Sequence, residues 1–144
     1  MANEQATIEE ILHNSRTVAV VGMSDKSWRA SYNIGSYLHK HGFRVLPVNP
    51  AVESVIGLEC YKDLDAAQAA AIEKTGQGID LVDVFRASEH VPPIVDDVVR
   101  LGIPYLWLQD EVIHEEAVAR AEAAGVKCVQ NDCIFRRHAE MIVD

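Results

Sequence analysis

One stretch limits the possible folds of this chain more than any other. Thr17-Val18-Ala19-Val20-Val21 is apolar with almost no polar alternation and stops at Gly22; a polar loop then leads to apolar positions at Ala30, Ile34, Tyr37, Leu38 and His41. The pattern predicts strand, turn and helix. A strand without a polar side is buried on both faces, as in the middle of a parallel sheet. Gly42 ends the helix, and the apolar run over 43–48 begins at once, which completes a βαβ unit.

The chemistry of such a unit lies in its first turn. N–H groups that open a helix lack intrahelical partners and sit at the positive end of its dipole, so the turn is a preformed anion site. Gly22 lets the chain turn tightly, Ser24, Ser27 and Ser31 offer hydroxyls, and Lys26 and Arg29 offer charge. The same residues also read as a plain turn with capping serines. Three hydroxyls and two cations in so short a loop favour a phosphate-bearing ligand.

The rest of the chain repeats the alternation. Thr7 and Glu10 have the spacing of a capping box for a helix ending near Asn14. After the turn at Asn49-Pro50, a loop over 57–61 leads to a helix over 65–74, and a strand follows over 79–85. Ser88 is placed to cap a helix with Val91, Ile94, Val95 and Val98 on one face, and Pro92 and Pro93 are tolerated in its first turn. Gly102 stops that helix, a strand covers 103–108, and Glu115 and Glu116 open the next helix. Gly125 ends it; a fifth strand over 126–130 precedes a last helix capped by Asp132. This predicts an α/β fold: a doubly wound, five-stranded parallel sheet with strand order 3-2-1-4-5. Ligands of such sheets bind beyond the strand carboxyl ends, at the switch point, here expected between the first and fourth strands. At 144 residues, the chain reads as a single domain spanning 1–144.

A formal net charge of -9 with no basic run argues against a nucleic-acid partner, which requires many neutralised phosphates. A small anion needs only local positive potential. There is no membrane-length apolar run, and the opening Met1-Ala2-Asn3-Glu4-Gln5 has no secretory pattern, so a cytoplasmic protein is expected. Cys60, Cys128 and Cys133 match no CxxC spacing, and His39 and His41 point to different sides of one helix, so no metal site is expected.

A dinucleotide is the first ligand to test against this rim. G-x-G-x-x-G is absent, because Ser24 and Ser27 stand where the second and third glycines belong. The second strand ends Leu46-Pro47-Val48-Asn49-Pro50, with no acid to hold a ribose. Gly22-Met23-Ser24-Asp25-Lys26 is not a nucleophile elbow, since Lys26 replaces the second glycine and no histidine is placed as base. No catalytic residue is assigned. Cys133, just before the last helix, reads as a buried small residue or as a thiol acidified by a helix start.

Val20-Val21-Gly22-Met23-Ser24 with Arg29 and Ser31, Val45-Leu46-Pro47-Val48-Asn49-Pro50, Asp80-Leu81-Val82-Asp83-Val84-Phe85-Arg86, Trp107-Leu108-Gln109 and Asp132-Cys133 occur in an order and spacing that span nearly the whole chain. In these residues the sequence resembles the small CoA-binding domain proteins, relatives of the N-terminal domain of the succinyl-CoA synthetase α subunit. The resemblance implies a Rossmann-like fold that binds coenzyme A. Gly22, Met23, Ser24, Lys26, Arg29 and Ser31 would meet the phosphates, Pro47, Val48, Asn49 and Pro50 the adenine, and Phe85 and Arg86 the diphosphate or pantetheine arm. Trp28 departs from the often prolyl family loop, and the segment over 67–78 is longer than usual. The expected function is non-catalytic binding of CoA or acyl-CoA, as carrier or sensor, with a protein partner or homo-oligomer left open. The alternatives are an NAD(P)-dependent oxidoreductase or redox sensor, and an interaction domain that kept only the fold.

Overall fold

In the computed structural model, which describes residues 3–142, the chain runs α1 (Gln5–Asn14), β1 (Thr17–Val21), α2 (Ala30–Lys40), β2 (Arg44–Val48), β3 (Ser54–Val55), β4 (Leu58–Glu59), α3 (Leu64–Thr75), β5 (Leu81–Val84), α4 (Val91–Arg100), β6 (Tyr105–Leu108), α5 (Glu115–Ala123), β7 (Lys127–Val129) and α6 (Ile134–Ile142). Met1 and Ala2, which open the segment read as lacking a secretory pattern, lie outside the described residues. Five strands form one parallel sheet in the order β2-β1-β5-β6-β7. The expected α/β class and five-stranded parallel sheet are therefore present.

Alternate side chains of each strand enter opposite cores. Ala19, Val21, Leu46, Val48, Val82, Val84, Leu106 and Leu108 pack with Leu64, Ala67 and Ala71 of α3, Val91, Val95 and Val98 of α4, and Ala117, Val118 and Ala121 of α5. Val18, Val20, Val45, Leu81, Trp107 and Val129 pack with Ile8, Ile11 and Leu12 of α1, Leu38 of α2 and Ile134 of α6. Burial on both faces explains why these strands read as continuous apolar runs.

The expected strand order is corrected. Counted along the main sheet, the order is 2-1-3-4-5, because after β2 the chain crosses back over β1 instead of adding outside β2. Pro47 supplies the physical reason. Its carbonyl accepts from the Tyr61 N–H at 2.8 Å, on the side away from β1, whereas the next carbonyl, Val48, accepts from Gly22 N–H on the inner side. A residue without an N–H on its outward side suits an edge strand and would break a ladder in the interior. The switch point accordingly lies between β1 and β5.

Four local expectations also change. The Thr7 and Glu10 capping box does not form: α1 begins at Gln5 with Glu4 before it and no side-chain cap. Ser88 opens a short 3₁₀ turn (Ser88–His90), and its Oγ accepts from Ile113 N–H at 2.9 Å, tying two rim loops together. The loop expected over 57–61 holds β4, which forms a hairpin with β3 just before it, and the turn between them puts Ile56 and Gly57 at φ 49° and 80°. Asp132 bonds the Cys133 N–H, while the Ile134 N–H that opens α6 goes to Gln109 Oε1 at 3.2 Å. No helix among the described residues is long and apolar enough to cross a membrane.

Candidate functional site

At the carboxyl end of β1 the chain leaves the sheet through Gly22, whose φ of 87° a side chain would strain. Space matters as much as angle here. A Cβ at Gly22 would stand 3.1 Å from Cδ of Arg86, so the glycine makes room for the arginine that leaves β5 beside it. Below the turn, Met23 is fully buried, and its tip occupies the place a side chain at Gly35 of α2 would need. The Met23 carbonyl accepts from the Asn49 amide at 3.1 Å, which joins the ends of β1 and β2.

Beyond Met23 the loop is organised by its own hydroxyls. Ser31 Oγ accepts from Ser24 N–H at 2.9 Å, and Ser24 Oγ accepts from Lys26 N–H at 3.0 Å. Asn33 reaches back to the carbonyls of Ser27 and Arg29 at 3.1 and 2.9 Å. Arg29 occupies the N-cap of α2 and provides no side-chain cap, in contrast to α3, capped by Asp63, and α5, capped by Nδ1 of His114. A cation before an uncapped helix start adds to the positive potential of the dipole.

Two clefts flank this turn. One, of about 480 Å³, is lined by Gly22, Ser24, Asp25, Lys26, Arg29, Ser31, Asn49 and Phe85. The other, of about 250 Å³, lies toward α3 and α4; its lining is apolar at Val21, Val48, Pro50, Leu64, Pro93 and Ile94, and charged or polar at Lys62, Asp63, Arg86, His90 and Asp97. Gly22 lines the first and Arg86 the second, so the contact between them is where the clefts adjoin. A third hollow of about 520 Å³ runs along α2 between Tyr32, Ile34, Tyr37, Ile56 and Phe135. It is larger but mostly apolar, and the two smaller clefts suit a phosphate-bearing ligand better.

Of the expected site residues, Gly22, Ser24, Lys26, Arg29, Ser31, Asn49 and Phe85 meet in the first cleft, and Val48, Pro50 and Arg86 in the second. Met23 and Pro47 are buried in the sheet layers and line neither. Sequence reasoning passed over Lys62 and His90, which come to the rim only because α3 and α4 pack side by side. Lys62, directly before the cap Asp63, was the one available signal. Cys133 is buried, at 6% exposure, and lines neither cleft.

The residues present suit a ligand with several phosphates. Lys26 has only Asp25 near it, at 3.9 Å, and Arg29 and Arg86 have no side-chain acceptor among the described residues. The acids of the second cleft are already engaged, Asp63 with the Ala66 N–H at 2.8 Å and Asp97 with Arg100 at 2.8 Å. Positive charge at the clefts is thus available to a ligand.

Comparison with known proteins agrees with this chemistry. A family model described as "CoA binding domain" matches residues 16–139. The uncharacterised protein YneT of Bacillus subtilis is 30% identical over 94% of both chains. An ADP-forming acetate–CoA ligase of Archaeoglobus fulgidus is 23% identical over 94% of this chain, which spans 20% of the length of that enzyme. Among solved structures, a hypothetical protein from Pyrococcus horikoshii superposes with a TM-score of 0.84 at 31% identity, covering 96% of this chain and 92% of its own.

Proposed function

The chain belongs to the CoA-binding domain family, and from that premise we propose that it binds coenzyme A or an acyl-CoA at the carboxyl rim of the sheet, as a carrier or sensor with no reaction of its own. The observation that supports this most is the uncapped start of α2 beside the Gly22 turn, with Arg29 lacking a side-chain acceptor among the described residues and Lys26 paired only distantly with Asp25, at 3.9 Å. The diphosphate lies over that turn. The adenine lies in the second cleft against Pro50 and Val48, and Arg86 spans the two parts from its place against Gly22. An apolar wall and a loose cation suit a flat base next to a phosphate. Three free cysteines fit a reducing, cytoplasmic setting.

The nicotinamide alternative requires a ribose-holding acid after β2. The residues there are Asn49 and Pro50, and the Asn49 side chain is committed to Met23 and to the Ala51 N–H at 3.0 Å. Titration calorimetry with CoA, dephospho-CoA and NAD tests the reading. CoA should bind tightest, and Arg29→Ala should weaken it about tenfold, the loss of one exposed charge-assisted bond. Absence of CoA binding, or tighter binding of NAD, overturns the proposal.

A further inference from the structure

The two tryptophans of this chain live in opposite environments. Trp107 is fully buried in β6, with its Nε1 donating to the Asp132 carbonyl at 2.9 Å. Trp28 is 75% exposed, more than any other large apolar side chain among the described residues. A loose loop does not account for this. Arg29 N–H bonds the Lys26 carbonyl at 3.0 Å, and Asn33 grips the carbonyls of Ser27 and Arg29 on either side of the indole. The backbone that carries the indole is thus fixed, and residues close on either side of it in the chain, Lys26 and Arg29, line the first cleft. Leaving so large an apolar surface wet is unfavourable unless the working state covers it.

The chemistry of the ligand indicates what covers it. If Lys26 and Arg29 hold the diphosphate, the group within reach of Trp28 is the one bonded next to it. In coenzyme A that group is the pantoyl segment, whose first branched carbon bears two methyl groups. In a dinucleotide it is a ribose bearing hydroxyls. We propose that Trp28 packs against the pantoyl methyls of bound coenzyme A and so selects pantetheine-bearing ligands over dinucleotides; this rests on the CoA reading given above. The indole is a specificity-determining contact that gains nothing from the nucleotide half alone.

The test pairs calorimetry with tryptophan emission on the intact protein, using CoA, adenosine bisphosphate lacking the pantetheine arm, and NAD. Trp107 is already buried and supplies a constant background. CoA should shift Trp28 emission to the blue, and adenosine bisphosphate should leave it unchanged. Trp28→Ala should weaken CoA about tenfold, the order expected for two methyl groups returned to water, while the nucleotide half keeps its affinity. Trp28→Phe should restore most of the loss. The inference is overturned if Trp28→Ala weakens both ligands alike or neither, or if emission stays fixed while calorimetry reports CoA bound; either leaves the CoA reading standing. Failure of the unaltered protein to bind CoA at all would remove both.

Discussion

Asp83 in β5 and Asp132 after β7 are both buried, at 0% and 4% exposure, yet their carboxyls are shifted in opposite directions. Burial disfavours the charge of Asp132, but bonds from Arg137, the Cys133 N–H and Asn3 outweigh it and hold this carboxyl below the usual carboxylate range. Asp83 has no hydrogen-bond partner for either oxygen among the described residues, and burial pushes its carboxyl well above that range. Their places in the fold explain the difference. Asp132 lies where a strand gives way to a helix, and α6 returns Arg136 and Arg137 to it one turn later. Asp83 lies mid-strand, level with Val20 and Trp107, on the face that Leu81 shares with an apolar core. The nearest donor in register, the Trp107 indole, is committed to the Asp132 carbonyl. A buried carboxyl favours its charged form where the backbone delivers partners, and its protonated form where it does not.

Breaking the satisfied site should have the largest effect. Asp132→Ala strands two arginines and frees the Cys133 N–H, and it should lower stability by about 2–4 kcal/mol in urea unfolding. Because the folded pKa of Asp132 is depressed, its contribution is present above the unfolded carboxylate value and is lost as pH falls through the folded one. An unchanged urea midpoint for Asp132→Ala would erase the contrast. Asp83→Asn should act in the opposite sense, raising stability at pH 7 by about 1–3 kcal/mol. The folded pKa of Asp83 is raised, so the unaltered protein loses stability as pH climbs past the unfolded value. The gain from asparagine should therefore grow with pH and vanish in acid; a gain independent of pH would show that Asp83 is not protonated. The smallest effect sharpens the comparison from the other side. Arg136 is half exposed and also pairs with the exposed Asp110, so Arg136→Ala should cost less than about 1 kcal/mol by thermal unfolding.

The sequence carried the layers of this fold more plainly than their order. Apolar runs that start or stop at a glycine mark every strand of the main sheet, because burial on both faces leaves the run and turns between layers leave the glycine. Pro47 held the order as well, since an outward residue without an N–H belongs on an edge, but rules of handedness alone do not weigh it. The β3 and β4 hairpin was hidden for a local reason: its turn puts a β-branched residue, Ile56, at positive φ, against propensity. At the candidate site, the residues of the Gly22 loop were legible because one short segment brings them together. The division into two clefts was not, since Lys62, Arg86 and His90 meet only through the packing of α3 against α4 and of Arg86 on Gly22.

The same Pro47 that fixes the order bears on how copies of the chain behave in a crowd. An open sheet has two borders, and each is a template on which a foreign strand could grow. On the β2 border, the stretch at Tyr61 already occupies the outward carbonyl of Pro47 and supplies the Asn49 N–H with an acceptor at 2.8 Å. The β7 border is three residues long, opens with an exposed lysine, and is followed by Gln130, whose N–H and carbonyl are both bound by the Asn3 side chain. Neither border offers a long bare run of amides, so refolding at high concentration should proceed without cross-β aggregation seeded from this sheet.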